Sequence, residues 1–272
     1  MPLPLVLEPG RSAAHYWRDL WRYRELLSFL AWRDIAVRYK QTAIGVLWAV
    51  IRPALTLLVF VAFRRMAGLR QDIVPDVVLV LTAVLPWQFF SSALAEASTS
   101  LIGNTGLISK VYFPRLIIPL SAVATAIVDF AITLVMLGVV MAAYGVRPDI
   151  RVIALPIFIA LCALLALGLG LLLAALTVTY RDFRYVVPFA IQLGLFVSPV
   201  AFETSQVPER WRALYALNPL VGIIDGFRWS LLGGRAAIDL TVLAGSVVVT
   251  LLSLVVGVWY FRRTERGFAD AI

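Results

Sequence analysis

The chain has 272 residues, of which 61% are hydrophobic and 15% charged, with a formal net charge of +8. Soluble domains are roughly 45–50% apolar, and here the surplus lies in long blocks, so one large soluble core is excluded in favour of membrane-facing helices. A single cysteine, Cys162, and a single histidine, His15, exclude an intrachain disulfide and argue against a protein-held metal.

The basic excess is almost entirely arginine, with only Lys40 and Lys110 beside it. No nucleic-acid motif accompanies it, so the arginines read as flanks of membrane spans facing anionic headgroups. Residues 1–15 contain prolines and read as loose. Glu8, Arg11, Arg18 and Arg22 precede any long apolar run, which is not the pattern of a cleaved signal peptide.

Residues 16–42 predict an amphipathic helix, with Leu20, Tyr23, Leu27, Leu30 and Ala31 near one face and Arg22, Arg24, Glu25, Arg33 and Asp34 elsewhere. Its charged, aromatic end feeds directly into apolar sequence. A helix lying at the membrane interface and leading into a span explains that junction. The expected fold is therefore all-α and polytopic. It divides into a cytoplasmic N-terminal segment at 1–44, a transmembrane domain at 45–262 and a tail at 263–272.

Six spans are predicted within the domain: Gly45–Arg65, carrying Arg52-Pro53; Val77–Thr99; Leu116–Tyr144; Ile153–Val178; the shortest, Tyr185–Ala201; and Leu240–Phe261. Between the last two lies Phe202–Asp239, apolar but broken by proline and glycine. Its runs are too short to span, so it reads as two short re-entrant helices, or else as a loop resting on headgroups. With the termini on one side, that side collects fourteen of the arginines and lysines and the other nine, which predicts both termini cytoplasmic.

No phosphate loop is present, because Lys40 precedes Gln41 and Lys110 precedes Val111 where Gly-Lys-Ser/Thr would be needed. Nor is there a Ser/His/Asp arrangement. The chain is therefore not expected to be an enzyme, and catalytic, metal and cofactor residues are all expected to be none. Any ATP and Mg would sit on another polypeptide.

Arg52, Glu96 and Asp129 fall in or near spans, where ionised groups are costly and so draw attention. Glu96 and Asp129 could carry protons, or could simply pair with arginine. Trp48, Phe60, Phe63, Trp87, Phe89 and Phe90 cluster around the first two spans, either as an interfacial belt or as a conduit whose rings stack on sugars. The turn Gly103–Arg115 is short and greasy; it could dock into a partner's groove or rest on the membrane surface.

Three stretches stand in order: Arg38-Tyr39-Lys40-Gln41-Thr42 with Gly45-Val46-Leu47-Trp48; Leu85-Pro86-Trp87-Gln88-Phe89-Phe90 continuing to Val111-Tyr112-Phe113-Pro114-Arg115; and Leu217-Asn218-Pro219-Leu220 with Gly226-Phe227-Arg228-Trp229. Together they resemble the permease subunits of polysaccharide ABC exporters of the O-antigen and teichoic-acid type, within the type-2 ABC exporter superfamily.

The resemblance implies an inner-membrane homodimer working with two copies of a separate ATPase and exporting a lipid-linked polysaccharide. It implies that the substrate enters near Arg33, Arg38, Tyr39 and Lys40. The sugars would pass Trp48, Phe60, Trp87, Phe89 and Phe90. A coupling helix would present Asn104, Leu107, Ile108, Val111, Tyr112 and Phe113 to the ATPase. The gate would contain Trp211, Tyr215, Asn218, Pro219, Phe227 and Trp229. The alternatives are a permease for a small lipid or drug, and a proton-coupled transporter using Glu96 and Asp129.

Overall fold

The computed structural model describes residues 13–40, 47–68, 75–233, 235–236 and 238–268. Its helices are α1 (Ala13–Arg22), α2 (Arg24–Lys40), α3 (Leu47–Met66), α4 (Asp76–Gly103), α5 (Thr105–Ile108), α6 (Ile117–Ala143), α7 (Leu155–Thr179), α8 (Phe183–Val197), α9 (Glu209–Tyr215), α10 (Pro219–Leu231) and α11 (Leu240–Thr264). Short 3-10 turns occupy Ile150–Ala154, Thr204–Gln206 and Glu265–Gly267. No strand occurs among the described residues. Outside them fall the N-terminal segment to residue 12, the 44/45 domain boundary, the Gln41-Thr42 and Gly45-Val46 parts of the resemblance, Arg70, and the end of the tail from 269.

Among the described residues five helices are long and apolar enough to cross a bilayer: α3, α4, α6, α7 with its leading turn, and α11 with its trailing one. Six were expected, and α8 makes the difference. It has 15 residues, which rise about 22 Å against roughly 30 Å of hydrocarbon. Pro199 explains the early end, since the residue before a proline is driven out of helical geometry. Ser198 is indeed extended, at φ −99 and ψ 154.

The helix expected over 16–42 is two helices meeting at Tyr23. The two pieces answer to different neighbours. Tyr16 of α1 bonds Glu265 beyond α11, while Arg38 of α2 reaches α4 and α6.

Helix α4 is the centre of the bundle: 78% of its most apolar stretch is buried, against 17% for α3 and for α11. Small residues let the spans close on it. A Cβ at Gly170 of α7 would lie 2.7 Å from the Cβ of Ala97 on α4, and one at Gly257 of α11 would lie 2.0 Å from the Gly168 carbonyl on α7. Such contacts are how apolar helices gain packing energy where lipid offers no hydrophobic contrast. The α7–α11 crossing has no room for a side chain, because backbone meets backbone there.

Two clusters result. The larger joins α4, α6, α7 and α10 through Leu81, Phe130, Cys162, Leu165, Ile223 and Phe227. The smaller gathers Leu30, Leu101, Ile108, Phe113, Phe261 and Phe268, with Tyr16, Leu20, Tyr23 and Leu27 packed on it. The beginning and the end of the described chain therefore lie at one end of the bundle, called here the terminal end. The far end holds the end of α3, the start of α4 and residues 198–204, joined by Arg64.

Candidate functional site

At the terminal end a charged cluster ties α2 to two spans. Arg38 uses separate nitrogens: Nη2 pairs with Glu96 Oε1 of α4 at 2.8 Å, and Nη1 with Asp129 Oδ2 of α6. Tyr39 donates its hydroxyl to the other oxygen of Asp129. The backbone arranges this simply. Ala97 faces α7, so Glu96, one residue earlier on α4, turns aside toward α2.

Burial works against the Arg38 charge, but the two carboxylates outweigh it and hold the guanidinium above its ordinary range. Burial, then the bond to Asp129, pushes the Tyr39 phenol upward, so it remains a donor. Both acids named as possible proton carriers are thus engaged by one arginine. Lys40 beside them is exposed.

Earlier on α2, Arg33 makes a second contact at this end of the bundle. It binds Asp34 Oδ1 at 2.7 Å and Asn104 Oδ1 at 2.9 Å. Asn104 also donates to the Ser100 carbonyl at 2.9 Å.

The turn that follows is less helical than expected. Only Thr105–Ile108 forms helix, and the chain leaves it before Phe113. Phe113 precedes Pro114, which disfavours helical backbone there. Ile108 and Phe113 point inward and are buried, Leu107 is half-buried, and Val111 and Tyr112 are exposed at 52% and 66%. The turn therefore offers a small apolar edge on a buried base.

The aromatic residues separate into two groups. Trp48 on α3 is 46% exposed, and Phe60 is half-buried against the larger cluster. Trp87, Phe89 and Phe90 are buried. Trp87 lies 5.9 Å from Phe90, and Phe89 lies 4.9 Å from Phe130, measured between ring centroids. The series continues from Phe130 to Phe227 at 5.9 Å and on to Phe158 at 6.4 Å. Sugar rings were expected to pass Trp87, Phe89 and Phe90; in this conformation other side chains occupy their faces.

At the far end two arginines are fully buried. Arg64 binds Asp76 at 3.2 Å and the Ala201 carbonyl at 3.1 Å. Arg228 donates to the Phe202 carbonyl at 3.2 Å and the Val200 carbonyl at 3.4 Å, with Asp225 at 3.8 Å. Thr204 bonds Asp225 at 2.6 Å.

Among the expected gate residues, Asn218 caps α10 by accepting from the Leu220 amide at 3.0 Å, and Pro219 takes the first helical position. This is an Asn-Pro helix start. Asn218 also donates to Ser198 Oγ at 3.1 Å. Phe227 is buried, Tyr215 lies 5.9 Å from Phe202, and Arg151 stands 5.3 Å over Trp229. Trp211 is exposed.

A family model described as ABC-2 type transporter matches residues 25–232. The chain belongs to that family.

It is a multi-pass membrane protein of the ABC-2 type, and its relatives agree with that from end to end. It is 32% identical over 259 residues to the O-antigen export system permease protein RfbA of Myxococcus xanthus, covering 94% of this chain and 98% of the relative. It is 26% identical to a Klebsiella pneumoniae protein of the same name, covering 91% and 95%. It is 23% identical to the polysialic acid transport protein KpsM of Escherichia coli, covering 86% and 92%.

Several residues of this ABC-2 fold escaped sequence reading. Arg64 counted only as a charge flanking a span, and Glu265 was lost among Arg262, Arg263 and Arg266. Asp225 carried the one available signal, being the only acid in the apolar run Leu220–Leu231.

Proposed function

We propose that this chain is the channel-forming subunit of an ATP-driven exporter that moves a lipid-linked polysaccharide across the bacterial inner membrane. Two copies would work with two copies of a separate ATPase that carries the ATP and Mg. The observation that carries this reading is the end-to-end likeness to O-antigen export permeases.

In this reading both termini are cytoplasmic. α1 and α2 lie on the membrane interface, where the exposed Trp21 of α1 and Phe29 and Trp32 of α2 suit the headgroup region. The lipid-linked end of the substrate would enter beside Arg33, Arg38, Tyr39 and Lys40. Val111 and Tyr112 are the edge offered to the ATPase, with Asn104, Leu107, Ile108 and Phe113 forming its support. Trp48 supplies an open ring to the sugar path, Phe60 a half-buried one further along α3, and Trp87, Phe89 and Phe90 stiffen the wall. α9 and α10, with Trp211, Tyr215, Asn218, Pro219, Phe227 and Trp229, form the gate on the far side. α8 reaches across the bilayer together with the stretch that follows it.

ATP-driven closure of the partner would displace the 104–113 turn and shift the balance between closed and open channel. Such a shift requires contacts that differ between the two states. Weak, repeated sugar contacts suit a conduit that must release what it binds. The capture of both Glu96 and Asp129 by Arg38 counts against proton coupling through these acids.

The test is purification of the tagged chain from its native membrane, with identification of bound proteins, ATPase assay and glycan export. A stoichiometric ATPase bearing a phosphate loop is expected, released when Val111 and Tyr112 are both changed to Ala. Transport that persists without any ATPase and collapses with the proton gradient would overturn the reading.

A further inference from the structure

The turn between α4 and α6 is anchored at both ends, by different parts of the chain. Arg33 of α2 holds its start through Asn104. Its end is held from beyond α11. The Glu265 carboxylate accepts from the Arg115 amide at 2.8 Å and from the Tyr16 hydroxyl at 3.2 Å. The Arg115 guanidinium returns a bond to the Glu265 carbonyl. Arg262 caps this arrangement, 4.5 Å over the Tyr16 ring. Beneath it Phe261 and Phe268 meet edge to face at 5.3 Å within the same cluster as Ile108 and Phe113.

We infer that Glu265 is a positioning residue for the exposed Val111–Tyr112 edge, joining it to α1 and to the end of α11. The inference rests on the coupling role proposed above for that edge. Force applied at Tyr112 reaches α6 along the chain, but it reaches α11 and α1 only through contacts, and the Glu265 bonds are the polar ones that link all three. Energetic coupling between distant sites needs such contiguous, stiff connections.

The chemistry predicts which substitutions matter. One carbonyl oxygen can accept two hydrogen bonds. Glu265→Gln therefore keeps both donors satisfied, whereas Glu265→Ala leaves the Arg115 amide and the Tyr16 hydroxyl without that acceptor. Tyr16→Phe removes one of the two bonds to the carboxylate and leaves the Arg115 amide its acceptor.

The experiment places a nitroxide on Lys110→Cys, an exposed position within the turn. The native Cys162 is fully buried and out of the reagent's reach. Spectra are taken on the full chain in membrane vesicles without the ATPase. The parent and Glu265→Gln should show a motionally restricted label, Glu265→Ala a loss of the restricted component, and Tyr16→Phe a partial loss. An unchanged spectrum in Glu265→Ala would overturn the inference. If that variant fails to elute as a folded species on size exclusion, Tyr16→Phe decides: a partial loss supports the inference and no change overturns it.

In the assembled complex, glycan exported per ATP hydrolysed should fall in Glu265→Ala relative to Glu265→Gln by roughly two- to thirtyfold, the range for single residues along a coupling network. The ATPase should remain bound. An equal ratio in the two variants would reduce Glu265 to a purely structural contact. A parent chain that binds no ATPase would sink the proposed function, while the label spectra would still decide whether Glu265 positions the turn.

Discussion

The two ends of the bundle use arginine in opposite ways. At the terminal end Arg33 and Arg38 are part-exposed, at 40% and 35% of the side chain, and bind acids or amides on other elements. At the far end Arg64 and Arg228 are shut away, at 0% and 1%, and donate to main-chain carbonyls of residues 200–202. A part-exposed pair in reach of water can change partners at small cost. A buried guanidinium cannot, because moving it strands both its own charge and the carbonyls it satisfies. The far end is thus a frame in which α10 and the 200–202 stretch move as one body. The terminal end is a set of exchangeable joints.

The sharpest way to break this comparison is Arg64→Ala. Asp76, 11% exposed, would lose its buried counter-ion, and the Ala201 carbonyl would lose a donor. Breaking a buried pair from one side costs about 3–5 kcal/mol, which corresponds to roughly 10 °C in a chain of this size. Thermal unfolding in detergent reads it directly. A shift of only a few degrees would mean that the far end tolerates exchange after all.

A second variant tests how tightly that frame is packed. A methyl at Gly226 of α10 would fall 2.0 Å from Cε1 of Phe158 on α7. Gly226→Ala should cost about 1–3 kcal/mol by overpacking. Phe158→Leu in the same chain should return part of it, which a double-mutant cycle on Tm would show as coupling. Additive effects would mean that the Phe158 ring swings away freely.

The long helices of the bundle were legible from the sequence because their signals are local. Long apolar runs marked α3, α4, α6, α7 and α11 within a few residues of where they lie, since bilayer thickness imposes a length that composition reveals. Pro199 already contained the reason for the early end of α8, and Asn218-Pro219 contained a helix start, although neither was read in that way. The joints were not legible. Which acid Arg38 would meet depends on bringing residues 38, 96 and 129 together, and nothing in the periodicity of any one helix encodes that. Trp87, Phe89 and Phe90 show the same limit from the other side. An aromatic at a span looks the same in sequence whether its face is open or filled by Phe130.

The smallest effect on stability is expected from Arg38→Ala, and it is the most informative variant at the terminal end. Its partners are 31% and 22% exposed, so solvent screening limits the stability each pair contributes to about 0.2–1 kcal/mol. Tm should therefore move by about 4 °C or less. Export should nevertheless collapse, because this one side chain fixes α2 to both α4 and α6 beside the place where the substrate is proposed to enter. Arg38→Lys separates charge from geometry. A single ammonium keeps the positive charge but lacks the two-armed fork that reaches Glu96 and Asp129 from different nitrogens, so Tm should recover while export recovers only in part. If Arg38→Ala instead lowers Tm as far as Arg64→Ala, the joint is as rigid as the frame, and the difference between the two ends disappears.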